Sequence, residues 1–263
     1  MTRRIIGFFI VSLLLFAAGC SSLIEPEQLP SDLTVPELEA RMKVAMDPKG
    51  NYCDANTYIQ RVITTLSTGW VKVKVMMEVR FMKPDKMRID TYYDREMIAS
   101  IIYSGDQANI VNWRDKEIIP VTDKALQRLS RFVTLGNPEA SYSSVFPRID
   151  IFECDIDGVR YYWMRCYVNA DGTGHPYDVF VDQKKFLTRR VQFEAEGIGE
   201  YVAQIQKYTV YDDVVVPDLF TTTQDGVSED CDVILYRLNA PITDEDFKLP
   251  DFPVKAAAAD SED

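Results

Sequence analysis

Apolar and polar residues alternate along most of this chain, which is the pattern of half-buried strands in an antiparallel sheet. In the clearest run, residues 71–81, every second residue is apolar, and four of the five residues between them are charged. The alternation resumes after a Lys83-Pro84-Asp85 turn. Further runs of strand character lie at residues 87–93, 97–103, 108–113, 117–121, 149–156, 159–168, 177–182, 187–193, 201–211 and 231–238. The pattern predicts about ten strands.

Helical periodicity is confined to short segments. Leu38 and Met42 lie four residues apart on the apolar face of a first predicted helix. Thr34 is its predicted N-cap, Glu37 occupies the capping-box position, and Asp47-Pro48 is its predicted end.

A second helix is predicted at residues 123–135, with Thr122 as its N-cap and Gly136 as its terminator. Its apolar face consists of Leu126, Leu129, Phe132 and Val133. Residues 54–66 fit either a further helix or an irregular lead-in to the sheet. Many strands and few helices predict the α+β class, dominated by an antiparallel sheet.

The first 20 residues have the features of an export signal. Two arginines precede an apolar run at residues 5–18, which is too short for a comfortable transmembrane span. Residues 15–20 resemble the cleavage box of bacterial lipoproteins, although Ala17 stands where that family more often has Leu. The resemblance implies a lipoprotein signal peptide at residues 1–19 and a lipid on Cys20. An ordinary secretory signal with an incidental Cys is the alternative.

Proteins of this lipoprotein type carry several acyl chains, which implies permanent attachment to a membrane of the bacterial cell envelope. Ser21 is not the Asp that marks inner-membrane retention in enterobacteria, so those rules favour the outer membrane, with the protein facing the periplasm. We predict a lipidated Cys and tether at residues 20–32 and one domain at residues 33–253. An acidic, disordered tail is predicted at residues 254–263.

Composition and charge exclude several functional classes. The 263-residue chain has 41 acidic and 29 basic residues, and loss of the signal leaves 27 basic residues and a net charge of −14. Such a charge argues against nucleic-acid binding and against electrostatic docking on anionic membranes. The only His, His175, lies in a glycine-containing turn, and no nucleophile elbow or phosphate-binding loop is present. We therefore predict no catalytic residues, no metal and no cofactor.

Four cysteines follow Cys20, and an exported protein can pair them as two disulfides or keep them as buried thiols. A two-residue turn at Asp157-Gly158 would place Cys154 opposite Tyr161 and Cys166 opposite Ile149. That register separates Cys154 from Cys166 by more than disulfide reach. The four cysteines are Cys53, Cys154, Cys166 and Cys231.

The order of elements, a short helix before long strands and then an inserted helix, resembles the outer-membrane lipoprotein-sorting proteins, the LolA/LolB-like superfamily. The most suggestive segment is Phe-Met-Lys-Pro-Asp-Lys-Met-Arg at residues 81–88, which is similar to a strand-turn-strand corner of that group. Val216-Pro217 and the Phe-Lys-Leu-Pro sequence at residues 247–250 are weaker support. The resemblance covers residues 33–253.

This resemblance implies an incomplete antiparallel β-barrel covered by short helices, with an apolar cavity for acyl chains. Five of the nine methionines lie between residues 76 and 97, and Met adapts to ligands of variable shape. A solid core between sheet and helices is the alternative. The candidate cavity residues are Val73, Val75, Met77, Val79, Met87 and Ile89, and the candidate lid helix presents Leu126, Leu129, Phe132 and Val133.

Lys83 occupies the lid-contact position, where the soluble carriers of the family have an Arg that holds the lid shut. Lysine lacks the planar fork of Arg, which argues against carrier-style locking and favours a stationary, receptor-like role. The expected function is non-enzymatic binding of acyl chains of lipoproteins or lipids, in lipoprotein sorting or lipid transport. A soluble carrier protein is a further expected partner. The alternative is a regulatory or scaffold lipoprotein that binds a signalling protein.

Overall fold

The computed structural model describes residues 23–68, 71–195 and 199–255. Its helices are α1 (Val35–Met46), α2 (Asn51–Asp54), α3 (Asp123–Gly136), α4 (Tyr142–Val145) and a 3-10 helix (Asp244–Phe247). Its strands are β1 (Leu29–Pro30), β2 (Thr57–Thr68), β3 (Val71–Met82), β4 (Lys86–Tyr93), β5 (Glu96–Ser104), β6 (Gln107–Asn112), β7 (Glu117–Val121), β8 (Arg148–Ile156), β9 (Val159–Tyr167), β10 (Tyr177–Asp182), β11 (Thr188–Ala195), β12 (Gly199–Tyr211), β13 (Val214–Gln224) and β14 (Val227–Leu238).

The strands form one open sheet in the order β1-β8-β9-β10-β11-β12-β13-β14-β2-β3-β4-β5-β6-β7. Wherever the described residues define the register of two strands, those strands run antiparallel. The predicted α+β class with an incomplete antiparallel barrel is confirmed. The 14 strands of the described chain exceed the predicted number.

The chain divides into two compact units. Among the described residues, unit 1 comprises 23–51, 65–68, 71–73, 141–195 and 199–232, and unit 2 comprises 52–64, 74–140 and 233–255. In unit 1, α1 packs on one face of the sheet through the buried residues Leu38, Met42, Met164, Val179 and Val181. A separate aromatic cluster, formed by Trp163 and Phe180 with Cys154, lies on the other face. In unit 2, the buried residues Ile102, Val111, Ile118 and Phe247 pack together on one face of the sheet.

Local signals at the first helix behave as predicted. Thr34 is the N-cap of α1, and the Glu37 carboxylate accepts hydrogen bonds from the Thr34 backbone N–H at 2.8 Å and from its hydroxyl at 2.7 Å. Leu38 and Met42 are buried, and the helix ends at Met46. The capping box and the Pro in the first turn therefore begin this helix where the sequence indicates.

The β8–β9 hairpin has the predicted register. Ile156 lies opposite Val159, Cys154 opposite Tyr161, and Cys166 opposite Ile149. Asp157 has a φ of 55° and Gly158 a φ of 79°, the positive values that a two-residue type I′ turn requires. None of the four described cysteines forms a disulfide.

Residues 54–66 are neither a helix nor an irregular lead-in. After the single turn α2, residues 57–68 form β2, in which Tyr58, Val62, Thr64 and Leu66 are buried. Their spacing is even, so they point to one side of a strand. β-Branched residues occur at both odd and even positions of β2, which obscured this period in the sequence.

The predicted tether is folded onto unit 1. Leu29 and Pro30 form β1, which pairs with Glu153 and Phe152 of β8. We call residues 23–32 the strap. At the other end of the domain, Val254 forms a parallel bridge with Ile118, and the Lys255 N–H donates to the Ile118 carbonyl at 2.8 Å. The folded part therefore extends two residues past the predicted boundary. The predicted signal peptide, Cys20 and residues 256–263 lie outside the described residues.

Candidate functional site

A row of five aliphatic side chains crosses unit 2 from β3 to β7. In the antiparallel register, each member lies directly opposite the next, so all five point to the same face of the sheet. All five side chains are only partly buried. We call Val79, Ile89, Ile101, Ile110 and Ile119 the aliphatic row.

The next row towards the Lys83-Pro84 turn is closed. Phe81, Met87, Tyr103 and Ala108 lie opposite one another in β3, β4, β5 and β6, and each is at most 5% exposed. Tyr58 stacks on Phe81 with ring centroids 5.0 Å apart. Burial raises the pKa of Tyr58 well above its usual range, so its hydroxyl stays neutral. The face is therefore a packed core at one end and an accessible aliphatic surface beside it.

Helix α3 lies on this face. The hydroxyls of Tyr103 and Ser130 are 3.1 Å apart. A Cβ added to Gly136 would lie 2.9 Å from Cε of Met87, so the last turn of the helix approaches the closed row as tightly as a glycine allows. Gly136 belongs to the helix, and Asn137 is its C-cap. The predicted role of Gly136 as terminator is replaced by a packing role.

Lys83 joins the end of α3 to the rest of unit 2. Its Nζ donates to the carboxylate of Glu139 at 2.8 Å and to the backbone carbonyl of Cys53, and its side chain is 15% exposed. Asn137 donates to the Pro84 carbonyl at 3.2 Å. We call Lys83, Glu139 and Asn137 the latch.

The opposite face carries a buried ionic network on β3 and β4, beside the apolar cluster that contains Ile102 and Val111 on β5 and β6. Glu78 accepts hydrogen bonds from Arg61 and Arg80, and Asp90 accepts at 2.8 Å from both Arg80 and Arg88. The two carboxylates are nearly inaccessible. Burial lowers the pKa of Arg80, but the two carboxylates outweigh that effect and raise it. The ionic network and the aliphatic row thus lie on opposite faces of β3 and β4.

Solved structures share this architecture. A LolA superfamily protein from Nitrosomonas europaea matches with a TM-score of 0.60 at 12% sequence identity, over 82% of this chain and 98% of that chain. A domain described as an outer membrane lipoprotein-sorting protein, from Vibrio parahaemolyticus, matches with a TM-score of 0.58 at 13% identity, over 80% and 94% of the two chains. This chain has a LolA-like fold.

A DUF1329 family protein from Desulfovibrio piger also matches the LolA-like fold of this chain, with a TM-score of 0.56 at 11% identity, over 81% and 95% of the two chains. No protein-family model and no curated protein sequence matches the chain. At such identities the likeness concerns the fold.

The structure places the predicted cavity residues of this LolA-like fold in three settings. Val79 and Ile89 belong to the aliphatic row, and Met77 lies partly exposed beside it. Val75 and Met87 are buried. Val73 lies in the part of β3 that belongs to unit 1 and is partly buried.

The row contains three residues that sequence reasoning missed, namely Ile101, Ile110 and Ile119. Each lies in a strand that the alternation predicted, but only the register shows that they continue the line of Val79 and Ile89. Tight turns between these strands are the signal that fixes the register.

The predicted lid face is divided in the structure. Val133 is 1% exposed, and Leu126 and Leu129 are partly buried. Phe132 is 55% exposed, because it lies one residue before Val133 and points away from the buried stripe of α3. Placing Phe132 on the covered face was wrong.

Groups with catalytic potential are dispersed or inaccessible. The His175 side chain is 68% exposed, with Nδ1 3.4 Å from the Glu194 carboxylate. Burial raises the pKa of Cys154 to about 12, and it also raises that of Cys166. Within the part of the chain that the structure describes, no cluster of three or more His, Cys, Asp or Glu could hold a metal ion. No helix of residues 23–68, 71–195 and 199–255 is long and apolar enough to cross a membrane.

Proposed function

We propose that this protein is a lipid-anchored, non-enzymatic protein that binds acyl chains of lipoproteins or lipids on the aliphatic row, beside α3. Its role would be in lipoprotein sorting or lipid transport. The observation that carries this proposal is the row itself: five aligned aliphatic side chains stay partly accessible while the adjacent row on the same face is buried.

The row suits an acyl chain because it is continuous and lacks polar atoms. Five strands span four spacings of about 4.8 Å, which gives a track of about 19 Å. Each methylene buried there would contribute about 0.8 kcal/mol. Branched aliphatic side chains offer no hydrogen bonds, so they select for length and apolarity and not for a particular head group.

A stationary, membrane-attached protein fits this chemistry. Lipidation of Cys20 would hold the protein at the periplasmic side of a membrane. A soluble carrier protein would then be its transient partner. Lys83 fastens the end of α3 through one ammonium instead of a planar guanidinium, so the latch has fewer directed bonds than an Arg would offer. The fold of the solved relatives supports the proposal.

A titration of the domain from Leu23 onwards with a fluorescent fatty acid tests this function. We expect saturable binding, and we expect Ile110→Asp to weaken it at least tenfold, because a carboxylate in the row must be desolvated when the chain binds. Asn109→Asp is the matched control, since Asn109 lies next to Ile110 and points to the other face of β6.

Circular dichroism of both variants shows whether a loss of binding comes from misfolding. If the wild-type domain takes up no probe, or if both variants bind as the wild type does, the row is not an acyl site. Capture of one stoichiometric protein partner without any lipid dependence would favour the regulatory alternative.

A further inference from the structure

The strap is attached to unit 1 at its very beginning. The Ile24 backbone N–H donates to Oε1 of Gln192 at 3.2 Å, and Nε2 of Gln192 donates to the Ile24 carbonyl at 2.6 Å. The Ile24 side chain packs against the cluster of Trp163 and Phe180. The side-chain amide of Gln192 thus supplies the hydrogen-bond donor and acceptor that the backbone of a neighbouring strand would offer to Ile24. Gln192 is only 1% exposed, so these bonds are buried.

Gln192 is itself held in place. Nε of Arg190 donates to its Oε1 at 2.8 Å, and Nε2 of Gln192 lies 3.4 Å from Oδ2 of Asp178. Trp163 donates to the other oxygen of Asp178 at 2.9 Å. A buried, interlinked set of side chains therefore receives the Ile24 peptide, which distinguishes this contact from a chance surface contact.

Further contacts continue along the strap. Nη1 of Arg165 and the Glu25 carboxylate are 3.1 Å apart. Leu29 pairs with β8, and the Tyr162 hydroxyl donates to Asp32 at 3.1 Å. The strap is thus fixed from Ile24 to Asp32 and does not serve as a free tether.

The start of the strap, at Ile24, and α1 lie on opposite faces of the sheet of unit 1. Trp163, Phe180 and Gln192 share the face that the strap covers, because they are opposite or alternate positions of adjacent strands. Met164 and Val179 point to the other face, where they pack in the cluster that contains α1.

The distance from the strap to Cys20 is short. Ile24 is the fourth residue after Cys20, so the chain from one to the other spans at most about 14 Å. If the strap were free as far as Leu33, 13 residues would span up to about 45 Å. The short span leaves unit 1 too little chain to turn its other face towards the membrane.

We propose that the strap-bearing face of unit 1 is a membrane-docking surface, which lies against the bilayer that holds the Cys20 lipid and directs the α1-bearing face into the aqueous space. This inference rests on the lipidation in the proposed function. On this face, Arg165 forms ion pairs with Glu25 and with Asp178. Docking therefore depends on the anchor and is insensitive to salt.

The test uses the full-length protein, isolated with its lipid, in vesicles of phosphatidylethanolamine and phosphatidylglycerol that contain a lipid-borne quencher. Mass spectrometry first establishes the modification of Cys20. Fluorophores are attached at Glu194→Cys, on the strap-bearing face, and at Val44→Cys, which is exposed on α1. Both labels are placed in a Cys53→Ser background, so that Cys53 takes up no dye.

We expect several-fold stronger quenching at position 194 than at position 44, at low and at high salt. Gln192→Ala releases the start of the strap and should make the two positions nearly equal. Gln206→Ala, on the neighbouring strand β12, removes a hydrogen bond to Thr221 and should keep the difference.

Three results would overturn the docking surface. They are equal quenching at positions 194 and 44 in the protein that keeps Gln192, stronger quenching at position 44, and an unmodified Cys20. The fatty-acid titration decides the proposed function separately. A protein that binds the probe but shows equal quenching keeps the function and loses the docking surface. A protein that docks as expected but binds no fatty acid keeps the docking surface and loses the proposed function.

Discussion

Replacing Lys83 by Met should loosen the end of α3. The substitution keeps an apolar stem of similar length but removes the ammonium that donates to the Cys53 carbonyl and to Glu139. A charged hydrogen bond to a carbonyl contributes about 1.5–3 kcal/mol, and the ion pair adds less than about 1 kcal/mol because the Glu139 side chain is 66% exposed. We expect a loss of about 2 kcal/mol in local stability, which raises the open fraction roughly thirtyfold.

Hydrogen exchange at the end of α3 measures this opening. The Asn137 N–H, which donates to Thr134 at 2.9 Å, should exchange roughly thirtyfold faster in Lys83→Met. Uptake of the fluorescent fatty acid should also accelerate in stopped-flow mixing. Lys86→Met is the matched control, because Lys86 lies three residues away but pairs with the exposed Asp244.

A double-mutant cycle separates the two bonds of the latch. Glu139→Gln alone should cost less than about 1 kcal/mol, and the coupling between Lys83 and Glu139 should be no larger. Unchanged exchange at Asn137 in Lys83→Met, or equal acceleration in Lys86→Met, would refute the latch.

Three further predictions concern unit 1 and the thiols. Gln192→Ala should destabilise unit 1 by about 2–3 kcal/mol in urea unfolding, because it removes two hydrogen bonds to the strap. Gln206→Ala should cost less than about 1 kcal/mol, and equal losses in the two variants would contradict the role of Gln192 in holding the strap. Iodoacetamide at neutral pH should modify the partly exposed Cys53 first and Cys154 only on unfolding, because burial raises the pKa of Cys154 to about 12. Equal rates of modification at Cys53 and Cys154 in the folded protein would contradict this. Burial also raises the pKa of Asp178, so its contribution to the free energy of unfolding is fully present below the unfolded-state pKa of about 3.9 and is lost as pH rises through the folded-state pKa. Urea titrations across this range should show that Asp178→Asn lacks this loss. The same pH dependence of stability in Asp178→Asn and in the wild type would contradict the prediction.

The strand pattern could be predicted wherever the two faces of a strand differ in chemistry. In β3, charged residues alternate with apolar ones, so the period of two is visible without the structure. The Asp157-Gly158 turn similarly fixed the pairing of β8 with β9. Both cases depend on information within a few residues of the chain.

Two strands escaped prediction because their sequences lack that contrast. In β2, β-branched and apolar residues occupy both faces. In β13, Pro217 resembles a break, but the structure places it opposite Tyr208, beside a register shift where a missing N–H is tolerated. The strap was missed for a related reason, because β1 has two residues and shows no period.

The candidate site was predictable only in part. Val79 and Ile89 follow from the alternation of β3 and β4, but the row emerges from pairing across five strands. The exposure of Phe132 depends on which side of α3 faces the sheet, and helical period alone left a wide stripe to choose from. Gln192 had no sequence signal, since its role depends on a segment 168 positions away.

Photo-crosslinking with a diazirine-bearing fatty acid tests the central claim most directly. The purified domain is irradiated with the probe, digested, and the labelled residues are located by mass spectrometry. We predict that labels concentrate on β3–β7 around Ile89, Ile101 and Ile110, that unlabelled fatty acid competes them away, and that Ile110→Asp abolishes them. Labels scattered over the surface, or labels that competitor and variant leave unchanged, would contradict acyl binding on the aliphatic row.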